Sequence, residues 1–166
     1  EKRKSASSWA GYGSPNATRK LSDALYREVF GPEAVPGATS DVTLSELGWA
    51  ADQVGLQPGG LLVDLGCGRG GPGLWVARRL KAVLLGLDLS LEALASARES
   101  SKGYPATYLQ RDFHATGLPD SSADGALSID ALWHSSDLGG ALCEVARVLK
   151  PGARLVFSLV ERDRLD

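Results

Sequence analysis

The chain has 166 residues, a net charge of −2 and 43% hydrophobic residues, a composition that favours one globular domain with a sizeable core. The slight negative charge argues against nucleic acid as an obligate partner, and no apolar run reaches the roughly 18 residues of a membrane-spanning helix. The two cysteines, Cys67 and Cys143, are too few for a disulfide framework. We therefore expect a cytoplasmic protein with no metal site and no nucleic-acid or membrane partner.

The first 16 residues are polar, rich in glycine and serine, and without hydrophobic periodicity. Trp9 and Tyr12 are the exceptions in this arm. Two interpretations remain open: the aromatic rings anchor the arm on the core, or they belong to a lid that closes over a ligand.

Two amphipathic helices are predicted before the first strand. Over residues 17–30, leucine and valine recur at four-residue spacing, at Leu21, Leu25 and Val29. The second helix is predicted to begin at Ser40 or Asp41, since either residue is a good N-cap. Its predicted buried face consists of Leu44, Leu47, Ala51 and Val54. We assign residues 1–39 to an N-terminal arm and lid helix, and residues 40–166 to the main domain.

The stretch from Gly60 to Trp75, GLLVDLGCGRGGPGLW, predicts a strand, a tight turn and a helix. A short apolar run bounded by glycines is typical of a strand buried on both faces. Pro72 stands where the first turn of a helix tolerates proline. Glycines let the backbone pass close to a ligand, with the amide groups of the helix start directed at it. The pattern therefore predicts a nucleotide-type pocket at the carboxyl end of a parallel strand.

Two classes of ligand fit this turn. Gly66, Gly68 and Gly71 satisfy the dinucleotide pattern G-x-G-x-x-G, and Asp88 follows at about the distance of a ribose-binding acid. Asp64, two residues before the first glycine, distinguishes the two classes. Its negative charge is unfavourable beside a pyrophosphate and favourable beside a cation, so the residues favour a cationic ligand.

The rest of the chain alternates helices with strands. The predicted helices cover residues 74–81, 91–100 with Ser90 as N-cap, and 138–149, the last with Leu142, Val145 and Leu149 facing inward. The predicted strands cover residues 82–88, 106–109, 125–130 and 154–160. This alternation predicts an α/β fold with a doubly wound, mostly parallel sheet and helices on both faces.

Four blocks of sequence resemble the motifs of the class I S-adenosylmethionine-dependent methyltransferases. In chain order they are VDLGCGRG, LGLDLS, RDFHATGLPDSSADGALSIDALWH and RVLKPGARLVF. The segments RGGPGLWVARR and IDALWH are most similar to small-molecule methyltransferases of bacterial natural-product metabolism, with some likeness to phosphoethanolamine methyltransferases around Asp130 and His134. The resemblance implies a Rossmann-like fold, S-adenosylmethionine as cofactor with S-adenosylhomocysteine as product, and a small-molecule methyl acceptor.

The resemblance also implies which residues bind the cofactor: Asp64, Gly66, Cys67, Gly68, Asp88, Leu89, Asp112, Phe113 and Ser128. Asp88 is expected to accept hydrogen bonds from both ribose hydroxyls, and Leu89 to lie against the adenine. Asp112 is expected to accept from the adenine amino group, and the Phe113 backbone amide to contact a ring nitrogen. Towards the methionine part, Asp64 and the carbonyl of Ser128 are the expected contacts.

Methyl transfer to a hydroxyl or amine acceptor can require a base. His134 is the predicted catalytic residue, because it follows the fourth strand at the edge where the site opens and an imidazole suits this role. A purely structural His134 and a basic role for His114 stay open. Two other functions also stay open for the chain: a module or fragment that binds the cofactor without turnover, and an NAD-dependent oxidoreductase.

Members of this family usually continue past the fifth strand with a helix and an antiparallel strand pair. Residues 161–166 cannot supply them, so we expect a sheet truncated after its fifth strand or completed by another chain. The chain also contains no methionine, which predicts a natural start further upstream. An unpaired apolar edge would favour a homo-oligomer.

Overall fold

A computed structural model of the chain describes residues 24–159. Five strands are present in this part: β1 (Leu61–Leu65), β2 (Val83–Asp88), β3 (Ala106–Gln110), β4 (Gly125–Ser128) and β5 (Leu155–Phe157). They form one sheet in the order β3-β2-β1-β4-β5, and every pairing is parallel. The helices are α1, described over residues 24–30, α2 (Leu44–Val54), α3 (Gly71–Leu80), α4 (Leu91–Ser100) and α5 (Leu138–Val148).

Helices cover both faces of the sheet, as the alternating pattern predicted. On one face, α2, α3 and α4 pack with Leu62, Leu84 and Leu127. On the other, α5 packs through Val145 and Val148 against the remaining apolar residues of the central strands. Strand β1 contributes to both clusters because successive side chains point to opposite faces. In the strand order, β1 is the central strand, so its carboxyl end lies between those of β2 and β4.

Two helices begin elsewhere than predicted. Helix α2 begins at Leu44, because Thr43 forms a capping box with Glu46: the Thr43 side chain accepts from the Glu46 N–H, and the Glu46 carboxylate accepts from the Thr43 N–H. The predicted start at Ser40 or Asp41 was wrong, although Leu47, Ala51 and Val54 are buried as expected. Helix α3 begins at Gly71, three residues before the predicted start, and Pro72 stands in its first turn. Helix α4 has the predicted bounds and the predicted Ser90 cap.

The carboxyl-terminal strands are shorter than predicted. β4 ends at Ser128 because the chain turns sharply at Asp130, whose φ is 51°. β5 covers Leu155–Phe157 rather than residues 154–160.

In α5 the buried residues are Ala141, Val145 and Val148. The predicted inner face was therefore one residue out of register at Leu142 and Leu149, which are half-buried.

The predicted apolar face of the first helix does not pack on the described core. Leu25 is 57% exposed and Val29 is 66% exposed. Trp9, Tyr12 and Leu21 lie outside the described residues. The lid, and the division of the chain at residue 39, stay predictions.

Among the helices within residues 24–159, none is long and apolar enough to cross a bilayer. β5 is an edge strand of the sheet described here, and its Phe157 side chain is 36% exposed. Association through this edge stays a prediction.

Candidate functional site

The glycine turn between β1 and α3 forms the floor of a cleft. Gly66 and Gly68 both have positive φ, 70° and 51°, a conformation that glycine adopts without strain. The N–H groups of Gly66 and Cys67 both donate to the carbonyl of Leu87, at 2.8 and 2.9 Å. A Cβ atom on Gly66 would overlap the side chain of Ala131. The turn is therefore fixed to β2 and to the segment that follows β4.

Asp88 joins this turn to the start of α4. Its Oδ2 accepts from the Gly68 N–H and its Oδ1 from the Ser90 N–H, both at 2.8 Å. The carboxylate lies at the carboxyl end of β2 and lines the cleft. It thus combines a structural role in the turn with a negative charge at the cleft wall.

Asp64 is a buried acid at the same edge. The residue is 2% exposed, and its Oδ2 has no hydrogen-bond partner among the described residues. Burial, and secondarily the negative charge of Asp88, raise the pKa of Asp64 to about 7. A buried carboxylate without a partner is unfavourable for folding. Because Asp64 lines the cleft, a bound cation would relieve that cost.

The cleft brings together most of the predicted site residues. Its lining includes Asp64, Gly66, Cys67, Gly68, Asp88, Leu89, Phe113 and His134. Cys67 is buried, and its surroundings raise the pKa of its thiol, first through burial. A thiol in that state is a small apolar side chain rather than a nucleophile.

Asp112 and Ser128 lie beside the cleft but are not among the residues that line it. Oδ1 of Asp112 accepts from the backbone N–H of His114 at 2.9 Å and lies 2.7 Å from its Nδ1. Ser128 is fully buried, donates its hydroxyl to the Leu65 carbonyl at 2.9 Å, and accepts at its own carbonyl from Ser158. The predicted contacts of Asp112 and Ser128 with the cofactor stay predictions.

The segment before α2 forms a wall of the cleft that the sequence analysis missed. Gly37, Thr39 and Ser40 line it, and the Ser40 hydroxyl is buried without a hydrogen-bond partner among the described residues. A Cβ on Gly71 would lie 2.5 Å from the carbonyl oxygen of Pro36. The pair Gly70-Gly71 was the available signal, because a glycine inside a helix start indicates a close backbone approach.

The wall opposite α4 follows β4 and was only partly predicted. Ile129, Asp130 and Ala131 line it together with His134. The hydroxyl of Ser158 accepts from the Asp130 N–H at 2.7 Å and donates to Oδ1 of Asp130 at 2.6 Å. This pair holds Asp130 in its left-handed conformation, which non-glycine residues rarely adopt.

His134 ends a short 3-10 turn, Leu132–His134, that follows β4. Its ring stacks on Trp133 with the ring centres 3.8 Å apart. His134 is also among the residues that line the cleft. Within the described residues, no group of three or more His, Cys, Asp or Glu is placed to hold a metal ion.

A family model described as a methyltransferase domain matches residues 63–157. The chain belongs to the class I S-adenosylmethionine-dependent methyltransferases. The match covers the sheet from the middle of β1 to the end of β5, and with it the glycine turn, the acid at the end of β2 and the segment that carries His134.

The names of similar proteins include more than one reaction. The chain is 34% identical over 123 residues to a methyltransferase of Penicillium fellutanum, phqN, covering 71% of this chain and 38% of that protein. It is 36% identical over 117 residues to a sterol 24-C-methyltransferase of Yarrowia lipolytica, covering 68% of this chain and 30% of that protein. The solved structure of the [4+2]-cyclase SpnF superposes with a TM-score of 0.66 at 27% identity, covering 85% of this chain and 57% of that one.

The chain thus spans about a third of the length of these two curated relatives. The charges of the cleft agree with the family's cofactor, which carries a sulfonium and an ammonium group and no phosphate. Three carboxylates, Asp64, Asp88 and Asp130, line the cleft with a single arginine, Arg111.

Proposed function

We propose that this chain binds S-adenosylmethionine in the cleft and transfers its methyl group to a small organic acceptor. The observation that carries the proposal is the buried Asp64 carboxylate, whose Oδ2 is unpartnered beside the glycine turn. A dinucleotide would place a pyrophosphate near this carboxylate, which Coulomb repulsion disfavours. A cationic ligand would place a positive charge beside the Asp64 carboxylate, whose Oδ2 has no other partner among the described residues. The geometry therefore favours the sulfonium cofactor over NAD.

Different residues around the turn contact different parts of the cofactor in this proposal. Asp88 accepts the ribose hydroxyls with the lone pairs that Gly68 and Ser90 leave unused. Leu89 and Phe113 supply apolar surface for the adenine, and Asp64 is placed for the ammonium group. Gly66 and Gly68 allow the backbone to lie close to the ligand because no Cβ projects from them.

The cofactor supplies a methyl group on a good leaving group, a neutral thioether. The protein has to hold the acceptor atom in line with that methyl group, which is a matter of proximity and orientation. His134, stacked on Trp133 at the cleft wall, is placed to take a proton from a hydroxyl or amine acceptor. Its role as a base is supported by its position in the cleft.

The acceptor class is a separate part of this proposal. We favour a hydroxyl or amine of a small molecule, since His134 is an ionisable group at the cleft wall. The relative from Yarrowia lipolytica is named as a C-methyltransferase, so methylation at carbon is an outcome that the test must detect. A cytoplasmic location is proposed with it, on the net charge of −2 and two cysteines that are both free.

A second function is favoured by one specific relative. The similar structure titled as a [4+2]-cyclase is named for a reaction other than methyl transfer. A chain that binds the cofactor and does not transfer its methyl group would keep Asp64, Asp88 and the glycine turn. It would have no use for a base at His134.

Two measurements test these proposals. Calorimetry with S-adenosylmethionine, S-adenosylhomocysteine and NAD is expected to give binding of both adenosyl ligands and none of NAD, and tighter binding of NAD would overturn the assignment. Incubation with methyl-labelled cofactor and a pool of small acceptors, followed by mass spectrometry, is expected to yield a product heavier by one methyl group. Binding without any labelled product would favour the second function.

A further inference from the structure

The side chain of His114 joins two segments of chain that are far apart in sequence. Its Nδ1 lies 2.7 Å from Oδ1 of Asp112, in the segment that follows β3. Its Nε2 lies 2.8 Å from Oγ of Ser135 and 3.1 Å from the carbonyl oxygen of Asp137, in the segment that follows β4. One imidazole therefore bridges the chain across more than 20 residues.

Both bridged segments continue directly into walls of the cleft. Arg111 and Phe113 flank Asp112 and line the cleft, and Phe113 contacts the His114 ring with the ring centres 5.0 Å apart. In the other segment, His134 lines the cleft immediately before Ser135. The imidazole lies behind these walls and is not itself among the lining residues, so the cleft geometry gives no support to His114 as the catalytic base.

The imidazole is needed for the contact at Ser135 and Asp137 but not for the turn at Asp112. The turn at Asp112 does not need the ring, because Oδ1 of Asp112 also accepts from the backbone N–H of residue 114 at 2.9 Å. The link between the two segments does need the ring, since it passes through Nε2. An acceptor carbonyl, that of Asp137, faces Nε2, so this nitrogen must carry a hydrogen for that bond to form.

We propose that His114 is a positioning residue that fixes the spacing between the two cleft walls. Its imidazole holds the segment with Phe113 against the segment with His134, and the cleft then fits the adenosine end of the cofactor without further ordering. Without the bridge, the two segments must be ordered when the cofactor binds, and the free-energy cost of that ordering lowers the affinity. The inference rests on the proposed function for its ligand, though not for the bridge itself.

The test compares three substitutions that differ in reach. His114→Ala removes both contacts, His114→Asn reaches about as far as Nδ1, and His114→Gln reaches about as far as Nε2. With S-adenosylhomocysteine as the calorimetric ligand, we expect the alanine and asparagine variants to bind about tenfold more weakly, the loss of roughly one hydrogen bond. The glutamine variant is expected to stay within about threefold of the wild type, because its amide can still donate to the Asp137 carbonyl.

A partner substitution and a control complete the binding experiment. Ser135→Ala is expected to weaken binding in the wild-type background and to have a clearly smaller effect in His114→Ala, where only its bond from the Asp137 N–H remains to be lost. Ser122→Ala removes a similar loop hydrogen bond, to the carbonyl of Pro119 at 2.7 Å, and is expected to change nothing. Equal affinities in all His114 variants, or an asparagine variant as good as glutamine, would overturn the proposal.

Amide hydrogen exchange tests the bridge without any ligand. In His114→Ala and His114→Asn, we expect faster exchange of the amides of residues 131–136 as well as 112–116, and near-normal exchange in His114→Gln. Unchanged exchange after β4 would overturn the bridge even if binding changed. A wild-type chain that binds no S-adenosylhomocysteine would count against the proposed function, while the exchange result would still decide the role of His114.

Discussion

Gly73 and Asp64 face each other so closely that a Cβ atom on Gly73 would overlap Oδ2 of Asp64. Helix α3 can therefore pass over the end of β1 only with glycine at this position. The close approach keeps the carboxylate buried and away from water, which is the main cause of its raised pKa. A local packing requirement and the charge state of the site are thus set by the same pair of residues.

Gly73→Ala is expected to destabilise the fold by about 1 to 3 kcal/mol, the usual cost of an inserted methyl group in a packed site. The displaced Asp64 carboxylate should also bind S-adenosylhomocysteine more weakly. Urea unfolding and calorimetry measure the two effects. Gly139→Ala is the control, because a Cβ in the first turn of α5 would meet only an ordinary contact at 3.6 Å. Wild-type stability in Gly73→Ala would contradict the close approach.

The pH dependence of stability reports on Asp64. Its pKa rises from 3.8 to about 7 on folding, so the folded state favours the protonated acid. The contribution of protonated Asp64 to the free energy of unfolding is complete below pH 3.8, and it is lost as the pH rises towards 7. Asp64→Asn stays neutral, so its free energy of unfolding should rise relative to wild type between pH 4 and 8, by on the order of 3 kcal/mol. A constant difference over this range, measured by urea unfolding, would show that Asp64 is not buried as an acid.

The sequence predicts those features of the site that are encoded by residues adjacent in the chain. The glycine turn, the Ser90 cap and the acid at the end of β2 were all read from neighbouring residues, and the structure places them as expected. The wall formed by Gly37, Thr39 and Ser40 was missed, because it reaches the cleft through tertiary packing on Gly71. The pair Gly70-Gly71 signals a close backbone approach, but it does not identify the segment that approaches.

The end of β4 illustrates the same limit. Apolar character continues through Ile129, so a longer strand was predicted. The chain leaves the sheet earlier because Ser158, distant in sequence, holds Asp130 at positive φ. Propensity along one segment cannot report a hydrogen bond made by another.

Asp88→Asn separates the ribose contact from the ammonium contact. It is expected to weaken S-adenosylhomocysteine binding by about 1.5 to 3 kcal/mol, since charge-assisted hydrogen bonds are lost. The same loss is expected with methylthioadenosine, which keeps the ribose and lacks the amino-acid part. Asp64→Asn should weaken only S-adenosylhomocysteine. Calorimetry with both ligands checks this pattern, and a reversed pattern would exchange the roles of Asp64 and Asp88.

Asp88→Asn should also have a smaller structural cost, because Gly68 and Ser90 both donate to this carboxylate. Thermal unfolding measures that cost separately. Asp52→Asn is the matched control: it removes an exposed acid that pairs with Arg79 outside the cleft. We expect it to leave both affinities unchanged.

Glu144 is expected to contribute to stability at neutral pH and to lose that contribution in acid. Its carboxylate accepts from Arg147 and from the N–H and hydroxyl of Thr116. These bonds, Arg147 first, lower the pKa of Glu144 from 4.5 to about 2. The stabilisation is therefore present above pH 4.5 and is lost as the pH falls towards 2.

Glu144→Gln should accordingly be about 1 to 2 kcal/mol less stable than wild type at pH 7, with a difference that shrinks below pH 4.5. Glu99→Gln provides the comparison, because Glu99 forms an exposed pair of the same spacing with Lys102, and such pairs contribute little. Urea unfolding across pH 2.5 to 7 gives both curves. Parallel curves for Glu144→Gln and wild type would exclude the proposed linkage.

The last prediction concerns His134 and requires an acceptor identified by the labelling experiment. If His134 removes a proton from a hydroxyl acceptor, His134→Ala should lower turnover by about 100-fold or more, while the affinity for S-adenosylhomocysteine changes little. The wild-type rate should rise with pH through one ionisation that the variant lacks, because only the neutral ring can accept a proton. An amine acceptor adds its own ionisation, so the comparison is made between variant and wild type with the same acceptor. His134→Phe keeps an aromatic ring to stack on Trp133 and removes the nitrogens. If the phenylalanine variant keeps wild-type turnover and the same pH profile, the contribution of His134 is the stacking, and the proton leaves by another route.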